Sequence, residues 1–241
     1  MPRITFLSLI AFLGLLTACS YQRPVTEGTV REQQTTEVIE RSLFDPATGH
    51  LSEDDVQRLL NGHIVIHDSA RIAVYRYGQG RKSRTYGYGY WSLEEEYLKT
   101  QQSYMDTLMS ICLASPMVQE TVLMPPMMVS PAPDLLELRT NAVRLQADLL
   151  LVFGLDSDIY YKYRMFAKDD AKAFATCQSL LMDVRTGVIP HSTVFTREHL
   201  TSKAASDLTL EETRKRAERA AVMSALGSTG KAITGFLSSL R

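Results

Sequence analysis

The sequence predicts an α/β fold: a mixed sheet with an antiparallel meander, and helices packed on it. Three observations carry this. Asp148–Leu155 (DLLLVFGL) is apolar on both parities, the pattern of a strand buried on both faces. Asp183-Val-Arg-Thr-Gly187 stands between two strand-like runs, with glycine where a three-residue hairpin loop takes a left-handed residue. Capping signatures at Ser52, Ser92, Asp134 and Thr209 each introduce an apolar stripe at helical spacing. The expected order is β-α-β-α-β-β-β-α behind an amino-terminal tether, with Asp148–Leu155 as the central strand.

The first residues carry an address. Arg3 gives a weakly positive start, and Ile4–Leu16 is an apolar stretch too short to span a bilayer permanently. Leu16-Thr17-Ala18-Cys19 follows, with small residues just before a cysteine. This box resembles the bacterial lipobox. The resemblance implies a signal peptide over 1–18, cleavage after Ala18, and attachment to the membrane through acyl chains on Cys19. Three acyl chains exceed the two-signal threshold for stable anchoring. Ser20 is not the aspartate that resembles an inner-membrane retention signal, so the implied address is the periplasmic face of the outer membrane. Residues 19–50 hold the lipidated cysteine and a polar tether rich in Thr, Gln and Glu. About thirty such residues give a root-mean-square reach of roughly 30 Å.

The body of the chain then runs from residue 51 to 226. Ser52 caps a helix with Asp55 three residues on, Val56, Leu59 and Leu60 as its stripe, and Gly62 to close it. His63–His67 is short and β-like. Arg71–Tyr77 is the first strand, with Ile72, Val74 and Arg76 on one parity and Ala73, Tyr75 and Tyr77 on the other. After Gly78–Trp91, Ser92 and Glu95 cap a helix whose stripe is Tyr97, Gln101, Tyr104, Met105, Leu108 and Cys112. Met117–Met124 is a second strand, ended by Pro125-Pro126. Asp134 and Glu137 open the next helix, with Leu135, Leu138, Ala142 and Leu145 facing inward. The meander is Asp148–Leu155 with a polar, aromatic extension to Phe166, then Lys172–Val184, then Val188–Arg197. Pro190 marks the last strand as an edge or as frayed. Thr209 and Glu212 open the final helix. Leu210, Ala217, Ala220, Ala221 and Ala225 line its inner face, and its end is expected near Gly227. Residues 227–241 are left as a short amphipathic tail.

The 241 residues carry a formal net charge of −1, which excludes the basic field of a nucleic-acid binder. Cys112 and Cys177 lie in apolar stretches where free thiols are common, although the implied compartment permits a disulfide. Few motifs survive inspection. His63 and His67 on a strand share a face but stand about 13 Å apart, too far for one metal. Asp156 and Asp158, with Asp169 or Asp170, read as turn formers rather than a cation site. Gly227-Ser-Thr-Gly-Lys231 has the wrong spacing for a phosphate loop and follows a helix, not a strand. No metal and no cofactor is expected.

The segment Gly78–Trp91 stands apart. Arg81, Lys82 and Arg84 precede Tyr86, Tyr88 and Tyr90, which alternate with glycines and end on Trp91, the only tryptophan. An extended ribbon would set those rings on one face. Aromatic and Arg side chains are the usual interface anchors, so these seven residues are the expected partner-binding set. The plain alternative is a hairpin folded over the protein's own core.

The strand RIAVYR, the short strand MVQETVLMP after a helix, the helix–strand unit L-x-x-L-R…A…A-D-L-L-L-V-x-G and the strand ending D-V-R-T-G-V resemble one family. They are similar to the α/β domain shared by the TolB amino-terminal domain, the curli secretion lipoprotein CsgG and the penicillin-binding-protein activator lipoproteins. The matching elements are Arg71–Tyr77, Leu135–Gly154 and Ala173–Val188. A looser likeness is to the rhombotarget lipoproteins. The resemblance implies a non-catalytic, lipid-anchored interaction module whose partner is an envelope protein or peptidoglycan, with the oligomeric state left open. Two alternatives stand beside it. One is an envelope hydrolase using Asp156, Asp158 and His191. The other is a subunit of an outer-membrane secretion assembly. A CsgG-like pore would need longer amphipathic hairpins than Gly78–Trp91 or Tyr160–Phe166 supplies.

Overall fold

The computed structural model describes residues 42–44, 52–62, 64, 69–78, 90–162 and 170–240. A short helix, α1 (Glu53–Leu60), comes first. Then follow β1 (Ala70–Tyr77), α2 (Tyr90–Leu113), β2 (Val118–Leu123), a 3-10 turn (Pro126–Met128) and α3 (Leu135–Arg144). The chain continues through β3 (Leu149–Lys162), β4 (Asp170–Asp183), β5 (His191–Ser202) and α4 (Leu210–Ser239). The five strands form one mixed sheet in the order β2-β1-β3-β4-β5. β1 runs parallel to both β2 and β3, and β3–β4–β5 is the antiparallel meander.

β3 is the middle strand, as its composition requires. Leu149, Leu151, Phe153 and Leu155 join the cluster under α2 and α4, while Leu150 and Val152 join the one under α3. The two parities of β1 divide the same way, Ile72 and Val74 to one layer and Ala73 and Tyr77 to the other. On β4, Ala171, Ala173, Ala175 and Cys177 form a small-residue face that lets α4 approach with its own Ala217, Ala221 and Ala225. β5 is an edge strand that starts just after Pro190, which has no N–H to give to a ladder.

Several boundaries depart from expectation. α2 starts at Tyr90, so Ser92 lies inside the helix instead of capping it. Asp134 Oδ1 accepts from the Glu137 amide at 2.7 Å as expected, but the Glu137 carboxylate takes the Ser130 amide and hydroxyl rather than closing a reciprocal box. Leu60 is exposed, and α1 buries no residue. Gly187 does adopt a left-handed φ of +79°. Its loop is longer than three residues, spanning 184–190, because the Asp183 carboxylate holds the Arg185 amide and the Thr186 hydroxyl in a compact turn. α4 does not end near Gly227. It continues for three more turns, and Ile233 and Leu237 of the expected tail are buried in the main core. The reason is packing. Gly230 meets Ile111 of α2, and that contact outweighs the weak helix propensity of glycine.

Of the expected tether over 19–50 the described residues are 42–44, and two of them bond to the domain. The Tyr77 hydroxyl donates to the Ser42 carbonyl at 2.9 Å, the Leu135 amide donates to the Leu43 carbonyl at 2.9 Å, and Leu43 packs in the α3 layer.

Candidate functional site

Among the described residues, the sheet face that carries α3 is only half covered. α3 shields the even parity of β3 at Leu150 and Val152, and of β4 at Met182. Beyond Val152 no described helix covers this parity, and polar side chains replace apolar ones. The pairing sets this distal half out in rows across β3, β4 and β5. Asp156 stands opposite Thr176 and Thr196; Asp158 opposite Phe174 and Glu198; Tyr160 opposite Lys172 and Leu200.

The rows are knit together. Tyr160 meets Phe174 edge to face at 5.7 Å, and Lys172 lies 4.7 Å from the centre of the Phe174 ring. Lys172 Nζ also pairs with Glu198 at 2.7 Å, and the Thr176 and Thr196 hydroxyls share a 2.9 Å hydrogen bond. The hydrogen bond that the Tyr160 hydroxyl gives to the Asp158 carboxylate, with the charge of that carboxylate, raises the phenol above its ordinary pKa. Val194 and Leu200 are each 66% exposed and Tyr160 57%. The result is a surface of aliphatic, aromatic and paired charged groups.

The side chains of the seven residues expected to bind a partner all lie outside the described ones. Arg81, Lys82, Arg84, Tyr86 and Tyr88 lie outside the described residues, as does Cys19; Tyr90 and Trp91 are seen only as the first backbone positions of α2. His63 and His67 also lie outside them. The hydrolase trio is not assembled. His191 lies opposite Leu181, five residues along β5 from Thr196, so about 16 Å of strand separates it from the Asp156 row. Its ring stacks on Phe236 at 4.8 Å, and burial holds its pKa down. Among the described residues no three His, Cys, Asp or Glu side chains are placed to hold a metal. Cys112 and Cys177 are both free and buried, and burial pushes their thiols up to about 12 and about 11.

The distal face is detectable in the sequence. In Lys172-Ala-Phe-Ala-Thr-Cys-Gln178 the small residues alternate with large polar and aromatic ones. Such a strand buries its small side against a helix and shows the other side to solvent.

Among the described residues no helix is long and apolar enough to cross a membrane. No protein-family model matches the chain, and no curated protein matches it. Several solved structures match distantly. A minor lipoprotein from Acinetobacter baumannii is 7% identical over 69% of this chain and 93% of its own, with a TM-score of 0.35. Lipoprotein GNA1162 from Neisseria meningitidis is 12% identical over 70% and 99%, with a TM-score of 0.28. PelC from Paraburkholderia phytofirmans, crystallised as a dodecamer, is 14% identical over 71% and 95%, with a TM-score of 0.33. The chain is thus similar, at low identity and low TM-score, to bacterial proteins that include lipoproteins.

Proposed function

We propose that this protein is a lipid-anchored module of the bacterial envelope, held at the periplasmic face of the outer membrane through Cys19. It binds an envelope protein or peptidoglycan without catalysing a reaction. The observation that carries the binding half is the distal face of β3–β5. Val194, Leu200 and Tyr160 stand exposed around a paired Lys172–Glu198 centre on an otherwise packed sheet. Exposed apolar groups rimmed by polar ones mark interaction surfaces. The anchoring half rests on the box Leu16–Cys19. Kinship with the TolB, CsgG and penicillin-binding-protein activator group belongs to the same reading and rests on sequence resemblance.

One experiment tests both halves. A photo-crosslinking residue is placed at Val194 or Leu200 in cells, in the natural chain and in Cys19→Ser. The natural chain is expected to take up labelled palmitate, pellet with outer membranes and crosslink to a discrete partner; Cys19→Ser should lose all three. Palmitate uptake by Cys19→Ser rejects the anchor. Crosslinks at these two positions no stronger than at an exposed control such as Glu212 reject the surface.

A further inference from the structure

We infer that the outer ridge of α3 docks onto the lipid leaflet that holds the acyl chains, so that the domain lies against the membrane instead of hanging from it. This rests on the anchoring reading above. α3 buries Leu138 and Ala142 against the sheet, with Leu135 and Leu145 packed beside them. Its opposite side carries Leu136, Thr140 and Val143, spaced as one helical ridge. Leu136 is 65% exposed and Val143 57%. A surface helix normally gives that side to charged residues. Met127, 92% exposed, stands on the neighbouring 3-10 turn. Asn141 Nδ2 fixes that turn beside α3 by donating to the Met128 carbonyl at 2.7 Å. A shallow depression of about 370 Å³ runs between the two, lined by Met128, Leu136 and Thr140 together with Asp134, Glu137 and Arg144.

The path of the chain supplies the occupant. Leu43 is bonded to the first residue of α3, so Phe44, 55% exposed, sits at the amino-terminal end of the ridge. The segment that leads from Cys19 therefore meets the domain beside its exposed apolar side chains. Ser42 lies 23 residues after Cys19, and on the anchoring reading that short covalent link keeps the ridge at a high effective concentration over the leaflet. An apolar surface too small to retain a free protein is then enough. The chemistry also suits lipid. The ridge line holds thioether, aliphatic and aromatic groups and no charge. Arg144 flanks it, where a cationic head reaches phosphates. Two acids also line the depression, each engaged locally: Asp134 accepts from the Glu137 amide, and Glu137 from the Ser130 amide and hydroxyl.

The test uses the full acylated protein in vesicles of phosphatidylethanolamine and phosphatidylglycerol with brominated acyl chains. Thr140→Cys on the ridge and Thr196→Cys on the distal sheet face each receive an environment-sensitive fluorophore; Cys112 and Cys177 are buried and do not compete. The label at Thr140 is expected to shift blue and be quenched by bromolipid, and the label at Thr196 to do neither. Adding Met127→Ser, Leu136→Ser and Val143→Ser should abolish the quenching; Val143→Glu alone should weaken it, should the triple variant fold poorly. Water-like emission at both positions, on vesicles with which the protein floats, overturns docking and leaves the anchor standing. Protein that does not float overturns the anchor, and docking with it. A Thr140 label buried in native outer membranes but not in pure lipid also overturns the inference, and assigns the ridge to an envelope protein.

Discussion

A methyl group added to Gly230 would lie 2.6 Å from Ile111 Cγ2 and 3.0 Å from its Cβ, close to the root of a stiff β-branched side chain. The same group on Gly227, one turn earlier, meets nothing within 4 Å. Two glycines of one helix therefore carry opposite predictions. Gly230→Ala should cost about 1–3 kcal/mol through overpacking, less up to about 1 kcal/mol regained in helix propensity. Gly227→Ala should stabilise by about 0.4–1 kcal/mol. Urea melts of both variants check the signs, and equal shifts would mean that α2 and α4 do not meet at Gly230. The pair also shows where sequence reasoning stops. Gly227-Ser-Thr-Gly looks like a helix end because glycine and hydroxyl residues favour one locally. Nothing in the string itself announces that Ile111, more than a hundred residues earlier, needs a glycine to close against.

At the scale of elements, β3 records its own surroundings. From Leu149 to Leu155 both parities are apolar, and both faces are covered, by α3 on one side and by α2 and α4 on the other. From Asp156 onward the parities part: Ser157 stays buried while Asp158 and Tyr160 are exposed. The change from a continuous to an alternating pattern marks where the α3 layer stops and the candidate surface begins. That much was legible, as were the order of the strands, the cap at Asp134 and the left-handed Gly187. The start of α2 was not, because Tyr90 and Trp91 are middling helix formers and Ser92 is the stronger local signal for a cap. Leu151, fully buried in the central strand, gives the matching prediction. Leu151→Ala should destabilise by about 2–5 kcal/mol in urea, and a loss below about 1 kcal/mol would remove β3 from the centre of the core.

For the molecule as a whole, the two surfaces of interest are well separated. Val152, under α3, and Asp158, in the distal rows, lie six residues apart on β3, about 20 Å along the strand. A leaflet at one need not obstruct a partner at the other. The two free thiols report on the integrity of the body between them. Cys112 of α2 and Cys177 of β4 both lie in the cluster beneath α4, and burial keeps them protonated far above neutral pH. Thiolate is the reacting species, so at pH 8 an alkylating reagent should modify neither until the domain opens. Mass spectrometry along a denaturant series should show both modified together, at the global transition. Modification of Cys112 without denaturant would instead reveal that α2 lifts locally.

α4 follows every strand in the chain and yet supplies the cover for β3, β4 and β5. A chain that leaves the ribosome or a translocation channel amino terminus first thus has all five strands out while the alanine face of β4 is still bare. Folding of the core must wait for the last thirty-odd residues to emerge. On the anchoring reading proposed above, the chain is threaded through a membrane unfolded, and Cys19 would reach its modifying enzymes before there is any folded domain to stand in their way.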